Sequence, residues 1–177
     1  MAQSSLPEGV LVRDLQRHAD PRGGLAEIFR EEWGLGAPAV QWNAFDGAAN
    51  SLRGVHVHMR HTDYLTVLRG RMLLALKDAR RASAGFGAAT VVELAEARLQ
   101  TVHIPPGVAH AFYFPAPALV MNGVSHVWSG DDEIGCRWDD PELGFDWTVR
   151  DPVVSSRDGS AGGWRQLTDA YAAATGA

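Results

Sequence analysis

The feature that most limits what this chain can fold into is a succession of short apolar runs rich in Val, Leu, Phe and Tyr, each closed by Gly, Pro, Asn or Asp. They read "GVLVRDL", "GLAEIFR", "AVQWNAF", "SLRGVHVHM", "YLTVLRG", "RMLLALKD", "ATVVELA", "QTVHIPP", "AHAFYF" and "ALVMNGVSHVW". Each is the length of one strand and no helical segments alternate with them, so the pattern predicts an antiparallel sandwich or barrel of the jelly-roll kind. One helix is predicted late in the chain. In "GWRQLTDAYAAAT", Trp164, Leu167 and Tyr171 recur at helical intervals, and this helix is expected to pack on the outside.

The 177 residues suit one domain spanning 1–177, long enough to bury a core without staples. With a net charge of −5, the chain lacks the basic excess that nucleic acid requires, and no nucleic-acid partner is expected. The lone cysteine, Cys136, excludes an intramolecular disulfide and reads as an inert buried thiol. No leader pattern opens the chain and no apolar run approaches the ~18 residues of a membrane span, so a cytoplasmic protein without a membrane partner is expected. In "RWDDPELGFDW", Pro141 removes a backbone donor, and Trp138 and Trp147 are expected to pin an ordered loop.

The stretch "GVHVHMRHTD", residues 54 to 63, holds three of the seven histidines. On a strand His56 and His58 share one face, Asp63 can return alongside after a short loop, and "PPGVAH" sets His110 beyond a Pro-Gly turn. These two segments resemble the paired motifs of metal-binding cupins, small jelly-roll barrels in which three histidines and an acid line the barrel mouth. The resemblance implies a divalent transition metal (Fe, Mn, Ni or Zn) held by His56, His58, Asp63 and His110. Asp63 stands where those cupins usually carry Glu, and Phe114 where they end on Asn. His61, His18 and His126 read as solvated loop residues, while His103, one strand before the turn, is able to reach the barrel interior.

Over most of residues 10 to 160 the chain also resembles the dTDP-4-dehydrorhamnose 3,5-epimerase family, dimeric cupins that epimerise a 4-keto sugar attached to a nucleotide. The carrying segments occur in order: "DPRGGLAEIFR", "VQWN", "NSLRGVHVH", "LRGRMLLALKDARRASAGFG", "IPPGVAHAF", "RWDDPELGFDW" and "SSRD". The resemblance implies an all-β cupin jelly-roll barrel with a short C-terminal helix and a homodimer. It makes His56 the base, Asp158 the carboxylate that orients it and Arg53 a positive group near the substrate. Arg22, Glu27, Gln41 and Asn43 match sugar-nucleotide contacts, although Arg22 and Glu27 also read as surface ion-pair residues and Asn43 as a turn former. For Arg53 and His56 both to face inward, three residues apart, the strand needs a bulge at Gly54.

Five positions depart from that family. Trp128 stands in place of its tyrosine acid, and indole cannot donate a proton as phenol can. Asp63 replaces the lysine that stabilises the enolate, and His58 replaces a glutamine. Gly24 and Leu25 stand where aromatics are common, which weakens the case for a thymidine diphosphate ligand. Because the changes at 58 and 63 also complete the cupin ligand set, the expectation is a metal-assisted isomerase acting through an enolate. Its substrate would be a keto sugar nucleotide or a similar polyhydroxylated carbonyl compound, with Trp128 in the substrate site. The alternatives are a metal-dependent cupin oxygenase, lyase or cyclase of small-molecule biosynthesis, and a non-catalytic sugar-binding homologue.

Overall fold

A computed structural model describes residues 5–176, and among them twelve strands and two α-helices. The strands are β1 (Leu11–Asp14), β2 (Arg17–Asp20), β3 (Gly23–Ala26), β4 (Gln41–Gly47), β5 (Ser51–His58) and β6 (Asp63–Arg69), followed by β7 (Arg71–Asp78), β8 (Ala89–Ala95), β9 (Gln100–Ile104), β10 (Val108–Phe114), β11 (Ala118–Val124) and β12 (Glu133–Gly135). The helices are the single turn α1 (Ser156–Gly159) and the longer α2 (Trp164–Thr175). No described helix is long and apolar enough to cross a membrane.

Two five-stranded antiparallel sheets, ordered β1-β9-β6-β11-β4 and β12-β5-β10-β7-β8, face each other as a jelly roll. Strand alternation fills the space between them: Leu65, Val67, Leu74, Leu76, Val102, Ile104, Phe114 and Val120 form the main buried cluster. A second cluster lies where β5, β7 and β10 meet the C-terminal segment, with Val55, Val57, Ala75 and Ala111 against Trp164, Leu167 and Tyr171 of α2. The helix thus covers the outer face of one sheet with the three residues its spacing singled out. The hairpin of β2 and β3 pairs with no other strand among the described residues, and its own residues are almost all exposed.

The loop after β12 is ordered by its own chemistry. Asp140 caps the 3-10 turn Pro141–Leu143 by accepting from the Glu142 amide at 2.8 Å, and it also accepts from the Trp164 amide at the start of α2 at 3.0 Å. Trp138 and Trp147 pack on the second cluster. Cys136 is buried there, and burial pushes its thiol up to about 12.

Strand β5 positions the site, and it does so through an irregularity. Along β10, His110 faces His56 while the next residue, Ala111, faces Gly54, so Val55 is the additional residue of a bulge. Gly54 has φ +104°, and a Cβ there would meet the His110 carbonyl oxygen at 2.7 Å, so the position requires glycine on both counts. The bulge turns Arg53 and His56 into the same cavity.

Candidate active site

That cavity has a volume of about 740 Å³, and Phe45, Arg53, His56, Phe112, Trp128 and Asp158 are among the residues that line it. Phe45 and Phe112 stack with centroids 6.1 Å apart, and the Arg53 guanidinium lies 4.9 Å over the Phe45 ring. One wall is therefore aromatic and apolar, with a cation fixed beside it.

At the other wall His56 Nε2 lies 2.7 Å from Asp158 Oδ1. Asp158 reaches this place because Ser155 caps α1, accepting from the Asp158 amide at 3.1 Å, and the Gly54 amide donates to Oδ2 at 3.4 Å. Burial raises the Asp158 carboxyl, but the hydrogen bond and charge of His56, with the Ser155 and Gly54 groups, hold it below the ordinary carboxylate value. An ionised Asp158 only accepts, so the imidazole that it holds carries its hydrogen on Nε2 and has its lone pair on Nδ1. Such a dyad can remove a proton from an acidic C–H bond.

Two further charged groups meet His56. Glu133, at the start of β12 and paired across the ladder with His58, directs Oε2 to 3.6 Å from His56 Nδ1. Its Oε1 forms an ion pair at 2.5 Å with Arg157, whose Nη2 also lies 3.0 Å from His56 Nε2. Neither residue was expected from the sequence. Arg157 had a signal, since it adjoins Asp158 within "SSRD"; Glu133 had none, because its place depends on a cross-strand pairing that the sequence pattern does not display.

The expected metal ligands behave differently. His58, Asp63 and His110 bring ligand atoms within 4.8 Å of one another, and His58, His61 and Asp132 form a second such group. His56 belongs to neither, and its Nε2 is engaged by Asp158. Nor does any of His58, Asp63 and His110 line the cavity: Asp63 accepts from Asn122 at 2.9 Å, and His110 Nδ1 donates to the Val108 carbonyl at 3.1 Å. Burial, and then the charges of its neighbouring histidines, push His58 far below the ordinary imidazole value; burial also lowers His110. His61 is no solvated bystander: it is fully buried, with Nδ1 2.8 Å from Asp132. His103 is buried beside Tyr64 and donates to the Gly9 carbonyl, whereas His18 and His126 are exposed as expected.

The remaining expected contacts separate into two groups. Gln41 and Asn43 hydrogen-bond each other at 3.0 Å, and Gln41 Oε1 accepts from the Trp128 amide at 3.0 Å, which ties them to the cavity wall. Arg22 and Glu27 do not reach the cavity of their own chain; they pair at the surface with Asp20 and Arg30, and the Arg22 side chain is 90% exposed.

A small antiparallel jelly roll with a His-Asp pair in an aromatic cavity defines a cupin-type enzyme of the sugar-epimerase class. The model of the dTDP-4-dehydrorhamnose 3,5-epimerase family matches residues 5–166, and the chain belongs to that family. It is similar to the dTDP-4-dehydrorhamnose 3,5-epimerase of Methanothermobacter thermautotrophicus, 28% identical over 172 residues that cover 92% of this chain and 91% of the relative. Among solved structures it resembles ChmJ, a 3'-monoepimerase from Streptomyces bikiniensis in complex with dTDP-quinovose, with TM-score 0.84, 27% identity and coverage of 98% of this chain and 90% of that one. It also resembles NovW, a 4-keto-6-deoxy sugar epimerase from the novobiocin gene cluster of Streptomyces spheroides, with TM-score 0.85, 25% identity and coverage of 95% and 89%.

Membership corrects the expected cofactor. Epimerases of this family act without a metal, so the divalent Fe, Mn, Ni or Zn predicted from His56, His58, Asp63 and His110 is withdrawn. In the structure His56 is turned to Asp158, and His58, Asp63 and His110 are not among the residues that line its cavity. The alternative of a metal-dependent oxygenase, lyase or cyclase falls with the metal.

Proposed function

We propose that this chain is an isomerase that epimerises a dTDP-linked 4-keto sugar, or a close analogue, through an enolate. The observation that carries this reading is the 2.7 Å His56–Asp158 pair facing a cavity with an aromatic wall and Arg53. His56 takes the proton beside the ketone, and the C–H electron pair moves into the enolate, whose oxygen becomes negative. Asp158 stabilises the imidazolium that forms, and Arg53 stabilises the developing oxyanion. Reprotonation from the opposite face completes the inversion. Asp63 lies outside the cavity lining and a carboxylate cannot serve as the family's lysine does, which leaves the charge to Arg53.

Trp128 supplies no acid, so the reading is a single inversion rather than two, with the second proton drawn from solvent. The cavity's size suits a hexose ring, with the nucleotide extending past Gln41 and Asn43. A homodimer is part of this reading: the exposed β2–β3 hairpin, which carries Arg22, supports an exchange that brings Arg22 and Glu27 to a second copy's cavity.

The test is incubation of the protein with a dTDP-4-keto-6-deoxy sugar in deuterated water, followed by NMR of the recovered sugar. Deuterium should enter at one carbon beside the ketone, and His56→Ala should slow its entry by roughly 10³. Incorporation no faster than in buffer alone would overturn the reading in favour of a binding protein.

A further inference from the structure

The contacts at His56 Nε2 exclude one another. Asp158 Oδ1, at 2.7 Å, accepts only and requires a hydrogen on this nitrogen; Arg157 Nη2, at 3.0 Å, donates only and requires a lone pair. One ring state satisfies Asp158, with hydrogen on Nε2 and the lone pair on Nδ1. The other satisfies Arg157, with hydrogen on Nδ1 directed toward Glu133 Oε2 at 3.6 Å. Only the first leaves Nδ1 able to act as a base.

Glu133 forms an ion pair with Arg157 beside the imidazole. Its side chain is 7% exposed, and its Oε1 holds Nη2 at 2.5 Å, which keeps the guanidinium over the imidazole edge, with Nε 3.6 Å from Asp158. The Arg157 side chain is 60% exposed and free on its outer side to turn toward solvent. We propose that Glu133 and Arg157 form a latch on His56, which the diphosphate of the substrate opens by drawing Arg157 away from Glu133. Phosphate competes well for a guanidinium because it accepts two parallel hydrogen bonds and carries more charge than one carboxylate. Opening leaves Nε2–H to Asp158 alone and fixes the Nδ1 lone pair, so the base is set only when a diphosphate-bearing substrate is in place. Glu133 and Arg157 are thus positioning residues, and the inference rests on the sugar-nucleotide reading above.

The experiment follows the His56 ring nitrogens by NMR in the full chain labelled with 15N-histidine, with His56→Gln giving the assignment. At fixed neutral pH, saturating inorganic diphosphate, and separately dTDP, should move Nδ1 toward the shift of an unprotonated nitrogen and Nε2 toward that of a protonated one. Arg157→Gln should show those shifts without ligand and no further change on titration, and Glu133→Gln should move toward them without ligand. The latch is overturned if wild-type His56 does not respond to saturating diphosphate, if diphosphate does not bind, or if Arg157→Gln titrates as wild type does. The solvent-deuterium assay separates the two ideas: a responsive latch without sugar turnover would sink the proposed activity and leave the latch standing. Turnover with a silent His56 would do the reverse.

Discussion

Trp128 lines the cavity, at the position to which the family resemblance assigns the tyrosine acid, and its backbone is already held by Gln41. Replacing the indole by a phenol therefore changes proton donation with little change in the wall. Trp128→Tyr should add exchange at the second carbon beside the ketone, accelerated by about 10² over wild type as expected of a positioned general acid. NMR of sugar recovered from deuterated water would show a second labelled site, and a single site in the variant would count against this assignment of the acid. Removal of the base should be more severe: His56→Ala should lower turnover by roughly 10³ with the fold retained, and Asp158→Asn should act in the same direction by losing the tautomer. The buried histidines make a different prediction, about stability. Burial holds His58, His103 and His110 below the ordinary imidazole value, whereas in the unfolded chain they titrate near ~6.5. The unfolded state then binds more protons below that pH, so stability falls on acidification, starting near ~6.5 and continuing toward the depressed folded values, by at most ~1.4 kcal/mol per pH unit for each histidine. Urea midpoints measured from about pH 7.5 down to 5.5 should decline; a flat or rising series would contradict this picture of the interior.

Strand β5 shows how one element carries both architecture and chemistry, since the bulge at Gly54 and Val55 is what lets Arg53 and His56 share a cavity. Gly54→Ala forces a side chain into φ +104° and against the His110 carbonyl, which should cost ~3 kcal/mol of stability and most of the turnover. Denaturant unfolding beside the exchange assay checks both; an alanine variant as stable as wild type would mean that the bulge is not constrained. This bulge was legible in the sequence, because the family resemblance required two inward residues three apart with a glycine between them. Ten of the strands were legible as apolar runs, whereas β2 and β12 were not. The sequence of β2 is "RHAD", which buries nothing, and β12 has three residues whose partner lies far away in sequence, so neither leaves a periodic trace. The misreading of the histidines has the same origin. Strand alternation correctly put His56 and His58 on one face, but it could not reveal that Asp158 claims the first or that Asp132 claims His61 from the 3-10 turn before β12.

On the scale of the whole molecule, the cavity of one chain does not contain all the residues that the family resemblance connects with substrate. Arg22 sits in the turn of the β2–β3 hairpin and Glu27 directly after it, and that hairpin pairs with neither five-stranded sheet, while the cavity already holds the base, its orienting carboxylate and Arg53. The proposed homodimer with exchanged hairpins would resolve that separation, and it makes a prediction that a self-sufficient chain would not. His56→Ala should lack the base in its own cavity, and Arg22→Ala should lack the cation in its partner's. When the two variants are mixed, dissociated and reassociated, each mixed dimer contains one cavity with an intact His56 served by an intact Arg22. Random pairing makes half of the dimers mixed, so about a quarter of all sites should recover from two weakly active parents. Activity that stays at the average of the parents after subunit exchange, verified by mass spectrometry of the mixed species, would show that Arg22 acts within its own chain or not at all. Sedimentation at micromolar concentration supplies the prior condition, since a monomer there would leave the hairpin without the second copy that this assignment requires.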